Sequence, residues 1–133
     1  MKTSKQTIGS LGEKLAADIL RKSGFKILEK NYRSSHYEID IIARDKECVV
    51  FVEVKARSCD DPENMSYGRP ARAVTYSKQG FLISAARSYL RQNTYLNGLR
   101  VRFDVIEIFF DNAESIKDKK VLKTNHIKNA FGA

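Results

Sequence analysis

The chain has 133 residues, 42% of them hydrophobic, enough for one packed core and short for two, so residues 1–133 read as a single domain. With 24 Lys and Arg against 16 Asp and Glu, the formal charge of +8 favours an anionic partner, nucleic acid ahead of an acidic membrane surface. No apolar run approaches the roughly 18 residues of a membrane span. The first residues lead into a charged, patterned segment rather than an apolar signal. Cys48 and Cys59 make neither a disulfide framework nor a zinc site. A cytoplasmic protein with free thiols and no membrane partner is expected.

Ile8, Leu11, Leu15, Ile19 and Leu20 recur at helical spacing and Gly24 is a stop signal, so residues 8–24 predict an amphipathic helix. Residues 25–33 and 38–44 predict two strands about a turn at Ser34-Ser35-His36, with Ile39, Ile41 and Ala43 opposite Glu38, Asp40 and Ile42. Residues 48–57, β-branched and aromatic, predict a central strand. Both prolines, Pro62 and Pro70, and Gly68 lie in residues 58–74, which predict a long loop. Thr75 or Ser77 can cap a second helix, whose Phe81, Leu82, Ala85, Ala86, Tyr89 and Leu90 form a stripe until Asn97-Gly98. Residues 100–110 predict a strand, and residues 115–122 a short one before an irregular, Lys-rich tail. The order α-β-β-β-α-β predicts an α/β domain, a central mixed β-sheet flanked by a helix on each face.

Strand side chains at i and i+2 share a face, which pairs Glu38 with Asp40 and Glu53 with Lys55. Val49 to Val52 lead straight into Glu53 and Lys55, and burying ions there costs several kcal/mol unless they are paired or coordinated. Two carboxylates about 4 Å apart repel by on the order of 4 kcal/mol, so an Asp40 and Glu53 pair favours a cation or a shared proton. Oxygen ligands suit Mg2+ or Mn2+, which can orient a phosphodiester and activate water. Lys55 then lies beside the scissile phosphate, as charge stabiliser or as an aid to the water.

Asp40 followed by Glu53-Val54-Lys55 at the end of an apolar strand resembles the PD-(D/E)xK nuclease motif. Gly12-Glu13, Tyr32-Arg33, Glu38-Ile39-Asp40, Phe51-Val52-Glu53-Val54-Lys55-Ala56-Arg57 and Arg102-Phe103-Asp104 extend the likeness, from about residue 9 to Phe131, to the YraN-like family of bacterial proteins. That resemblance implies the restriction-endonuclease-like fold shared with archaeal Holliday junction resolvases. It also implies a metal site in which a first-helix glutamate, Glu13, joins Asp40, Glu53 and Lys55. Tyr37 departs from the pattern, standing where the family usually has glycine.

Plainer roles stay open beside these. Glu13 can complete a Ser10-x-x-Glu13 capping box, and reaches Asp40 and Glu53 only if the first helix crosses their face of the sheet. Glu38 can be a polar strand face, and Glu53 with Lys55 a salt bridge. Lys78 and Gln79 either lean over the sheet toward the metal or form ordinary helix surface. Arg57, Arg69, Arg72, Arg87 and Arg91 can track phosphates or be solvated, and Tyr67 can stack on an unpaired base. Asp104 reads as an ion-pair partner of Arg102, and His36 and His126 as incidental. The expected activity is metal-dependent cleavage of DNA, at branched or irregular structures by analogy. A noncatalytic nucleic-acid-binding module and a protein-interaction adaptor are the alternatives, and RNA as polymer and a homodimer stay open.

Overall fold

A computed structural model describes residues 6–35, 37–64 and 74–132. His36, Tyr67, Arg69 and Arg72 lie outside the described residues. The first helix, α1, spans Ile8–Lys22. Its cap is a reciprocal pair one turn earlier than Ser10-x-x-Glu13: Thr7 Oγ1 accepts the Ser10 N–H at 3.1 Å and Ser10 Oγ accepts the Thr7 N–H at 2.9 Å. Glu13 therefore has no capping duty, a correction to that reading, because Thr7 satisfies the orphan donors first. Gly24, at φ 92°, ends the helix in a conformation that suits glycine.

Five strands follow: β1 (Lys26–Ser34), β2 (Tyr37–Arg44), β3 (Cys48–Ser58), then β4 (Arg100–Phe110) and β5 (Val121–Phe131), with α2 (Tyr76–Gln92) between β3 and β4. They form one mixed sheet in the order β1-β2-β3-β4-β5. All neighbours are antiparallel except β3 and β4, whose parallel pairing needs a crossover, which α2 supplies. The expected α/β architecture holds, and the chain has the restriction-endonuclease-like arrangement of a mixed sheet between helices.

Two segments differ from expectation. Residues 115–131 are not a short strand and a loose tail: Val121–Phe131 pairs with β4 as a complete edge strand. It escaped the sequence pattern because an edge strand carries lysines outward and needs no strict alternation, and Asn129, at φ 55°, interrupts it. The second helix stops at Gln92, where Asn93 Nδ2 donates to the Tyr89 carbonyl at 2.9 Å, and a short 3-10 turn, Thr94–Leu96, precedes Asn97-Gly98. Thr75 is its N-cap, accepting the Lys78 N–H.

Each face of the sheet buries its own core. Ala16, Ala17 and Leu20 of α1 pack on Ile41, Val50, Val52 and Ile108. Leu82, Ala85, Ala86 and Tyr89 of α2 pack on Ile39, Ile42, Phe51 and Phe103. The α1 contact is close: a Cβ at Gly12 would lie 2.6 Å from Ala56 Cβ. Among the described residues, no helix is long and apolar enough to cross a membrane.

Candidate active site

The site begins where β2 breaks its alternation. Ile42 faces α2 and Ile41 faces α1, as a strand requires, yet Ile39 packs with the α2-side core, so the period fails at Asp40. Direct pairing of β2 with β3 runs from Arg44↔Val49 to Ile41↔Val52, and a further step would set Asp40 opposite Glu53. Instead Asp40 Oδ2 accepts the Val54 N–H at 2.8 Å, its carboxylate taking the place of a ladder carbonyl. On the other side Asn31, at φ 53°, lies across from Asp40 between the pairs Lys30↔Ile41 and Tyr32↔Ile39.

The opening between β2 and β3 brings groups from both faces together. Glu53 comes from the α2 side, in a dry crevice with Leu82, Phe51 and Phe103. Its Oε1 takes the Lys78 ammonium at 3.0 Å and the Lys55 ammonium at 3.9 Å. Its Oε2 is buried with no hydrogen-bond partner among the described residues. Glu13 comes from the α1 side. The expected requirement that α1 cross the face of Glu53 is corrected: the helix packs on the opposite face, and the carboxylates sense one another through the opening. With its amide nitrogen turned to the acids, Asn31 donates to Glu13 Oε1 at 2.6 Å and to Glu38 Oε1 at 2.7 Å. Nothing in the sequence pattern singled Asn31 out. An Asn amid strand residues, able to adopt positive φ, was the available signal.

The electrostatics match this crowding of acids. Burial first, then the Glu53 charge, pushes the Asp40 carboxyl from 3.8 up to about 7, against the lowering effect of the Val54 N–H. Burial and Glu38 raise Glu13. Burial, with Lys78 and Arg57 adding repulsion, lowers the Lys55 ammonium, although Glu53 opposes the shift.

The other named residues divide. Lys78 reaches the site from the first turn of α2, whereas Gln79 Nε2 donates to the Val74 carbonyl at 3.0 Å and secures the entry to the helix. Arg57 pairs with buried Glu107 at 3.3 Å, so it serves an internal acid as well as lying near Lys55. Asp104 does pair with Arg102, at 2.9 Å, and His126 is not incidental: its Nε2 is 2.7 Å from Asp104 Oδ2. Cys48 and Cys59 are free thiols.

The donors suit a hard cation. Two carboxylates close enough to couple, Glu53 with an oxygen that has no partner among the described residues and Asp40 with its pKa raised to about 7 by burial and then by Glu53, fit Mg2+ or Mn2+ completed by water and phosphate oxygens. Among the described residues no three His, Cys, Asp or Glu side chains form a group that could hold a metal ion, so Glu13, Asp40 and Glu53 do not make a ready three-acid cage, and Asn31 engages Glu13 Oε1.

Similarity to known proteins agrees with this architecture. The model of "Uncharacterised protein family UPF0102" matches residues 12–108. A UPF0102 protein of Caldanaerobacter subterraneus is 42% identical over 130 residues, 98% of each chain. One from Clostridium perfringens is 46% identical over 131 residues, also 98% of each. One from Clostridioides difficile is 42% identical over 123 residues, 92% of this chain and 95% of its own. From Gly12, pressed against Ala56, through the Asp40 and Glu53 pair to β4, the matched segment spans the whole site, and the chain belongs to UPF0102, the YraN-like family of restriction-endonuclease-like proteins.

Proposed function

We propose that the protein is a metal-dependent endonuclease hydrolysing phosphodiester bonds in DNA in the cytoplasm, with irregular or branched structures as its targets. The observation that carries this reading is the opening between β2 and β3, where Asp40 and Glu53 repel one another, Glu53 Oε2 has no partner among the described residues and the Lys55 ammonium stands 3.9 Å from the same carboxylate. Asp40 and Glu53 would hold Mg2+ or Mn2+, which would supply Lewis-acid charge and lower the pKa of an attacking water. Lys55 offsets the negative charge that grows on a phosphate oxygen, and its burial eases proton loss should the water need a base. Asn31 keeps Glu13 and Glu38 oriented behind this pair.

The test is incubation of the purified chain with labelled linear, flapped, four-way and single-stranded DNA in Mg2+, Mn2+ or chelator. Cleavage is expected only with metal, and Asp40→Asn and Glu53→Gln are expected to remove it while leaving most binding. Cleavage undiminished by chelator, or turnover by either variant, rejects the mechanism. One observation favours a second reading, a noncatalytic binding module: Lys78, 3.0 Å from Glu53, already supplies a cation to that acid. Salt-sensitive DNA binding without cleavage under any metal would select it.

A further inference from the structure

Beyond the acidic opening, the outer face of α2 carries a groove that the proposed chemistry leaves unused. Ser77, Phe81, Ser84, Ser88 and Arg91 follow one another at alternating intervals of four and three residues, which aligns them along one line of the helix. Lys78, the residue that touches Glu53, is beside the start of this line. From there to Arg91 the helix runs about 20 Å.

Two cavities open along the line, with Phe81 as a wall of both. One, of about 320 Å³, lies against the end of β1 and is lined by Ser34, Ser35, Tyr37, Ser84, Ser88 and Arg91 as well as Phe81. The other is shallower and lies among Tyr76, Ser77, Gly80 and Ser84. Phe81 is 44% exposed and Tyr76 90% exposed, unusual values for aromatic rings of a helix whose opposite face is buried. Tyr37 braces Phe81 from behind, the rings stacked 3.8 Å apart at 9°. Tyr37 thus gives the platform a rigid backing. Gly80 leaves the approach open: a Cβ there would meet nothing within 4 Å among the described residues.

Charge identifies the occupant. Helix α2 carries Lys78, Arg87 and Arg91 and no acidic residue, and the sequence has no Asp or Glu between Glu63 and Asp104. Exposed rings with guanidiniums and hydroxyls along a one-sign track suit a polymer with flat apolar faces and regular negative charge. In a duplex those faces are stacked internally, so only unpaired bases can use Phe81. We infer that the α2 groove is a subsite for unpaired nucleotides, which stack on the Phe81 and Tyr37 platform, place phosphates at Arg87 and Arg91, and lead the strand to the acidic opening. The choice of DNA as occupant rests on the nuclease reading above.

The test uses the full chain in chelator, so that no cleavage intervenes. A single-stranded oligonucleotide containing 2-aminopurine, and its duplex, are titrated by anisotropy and base fluorescence. Binding of the single strand with quenching of the base is expected, with little quenching in the duplex. Phe81→Ala should weaken single-strand binding by about tenfold and remove the quenching. Gly80→Leu, which fills the groove without touching the core, should do the same, and melting curves check that both variants fold. Equal binding of single strand and duplex without quenching overturns the subsite, as does wild-type binding by both folded variants. The nuclease reading fails separately: stacking without any metal-dependent cleavage supports the groove and removes the nuclease, whereas cleavage without stacking does the reverse.

Discussion

The carboxylate of Asp40 accepts the backbone N–H of Val54 at 2.8 Å, and this one contact between neighbouring strands opens the sheet. A side chain bonded where a carbonyl would otherwise pair keeps β2 and β3 apart, and the acids of both faces meet in the space. The same contact orients Asp40 and favours its charged form, yet burial and Glu53 still hold its pKa up near 7.

That shift has a sign in stability. A carboxyl whose pKa rises on folding, here from 3.8 to about 7, binds more protons folded than unfolded, so the stability it supports is greatest below pH 4 and is lost as pH climbs through 7. Asp40→Asn keeps an oxygen for the Val54 N–H but never ionises. It is expected to melt above the wild type at pH 8, with the gap narrowing as pH falls and closing near pH 4. Thermal melts across this range measure it, and a difference independent of pH would count against the burial of charge at Asp40. At pH 8, Mg2+ should raise the melting temperature of the wild type and leave that of Asp40→Asn unchanged.

Lys78 would compete with any metal that Glu53 binds. Its ammonium lies 3.0 Å from Oε1, so a cation binding there must displace it or share the oxygen. Replacing it by methionine, which keeps the length of the stem, should tighten Mn2+ binding several-fold, read by the electron paramagnetic resonance of free Mn2+. Unchanged or weaker binding would mean that Lys78 does not occupy the cation's place.

Gly12 is a packing residue. With 2.6 Å between an added Cβ and Ala56, Gly12→Ala must push α1 off β3, a forced fit that costs about 1–3 kcal/mol in well-packed cores. Denaturant unfolding should show that loss, and Ala56→Gly in the same chain should recover most of it. Without recovery, the close approach would not be the cause.

Asp104 fastens β5 to the sheet. Fully buried, it takes Arg102 through both oxygens at 2.9 Å, His126 Nε2 at 2.7 Å and the Asn129 N–H at 2.9 Å. Asp104→Ala strands these donors and should cost about 3–5 kcal/mol, the usual penalty for breaking a buried charged network. Hydrogen exchange should speed up first at residues 123–129. Uniform acceleration across the sheet would show that the network is not specific to β5.

What the sequence alone determined rests on short-range periodicity. The amphipathic spacing of Leu11, Leu15 and Ile19, the apolar run before Glu53 and the stripe from Leu82 to Tyr89 each reflect one element facing one core, so helices, central strands and the α/β class were readable. The pairing of Glu53 with Lys55 was readable for the same reason, since strand geometry fixes i and i+2. Three matters were decided only by tertiary structure. The alternation of β2 fails at Asp40 because a backbone N–H fourteen residues away captures its side chain, and no local pattern encodes that partner. The edge strand β5 depends on Asp104 and on its neighbour β4, so its own residues show little alternation. Glu13, Asn31 and Glu38 meet because α1 on one face and a positive-φ Asn on the edge strand β1, across from Asp40, bring together residues far apart in the chain.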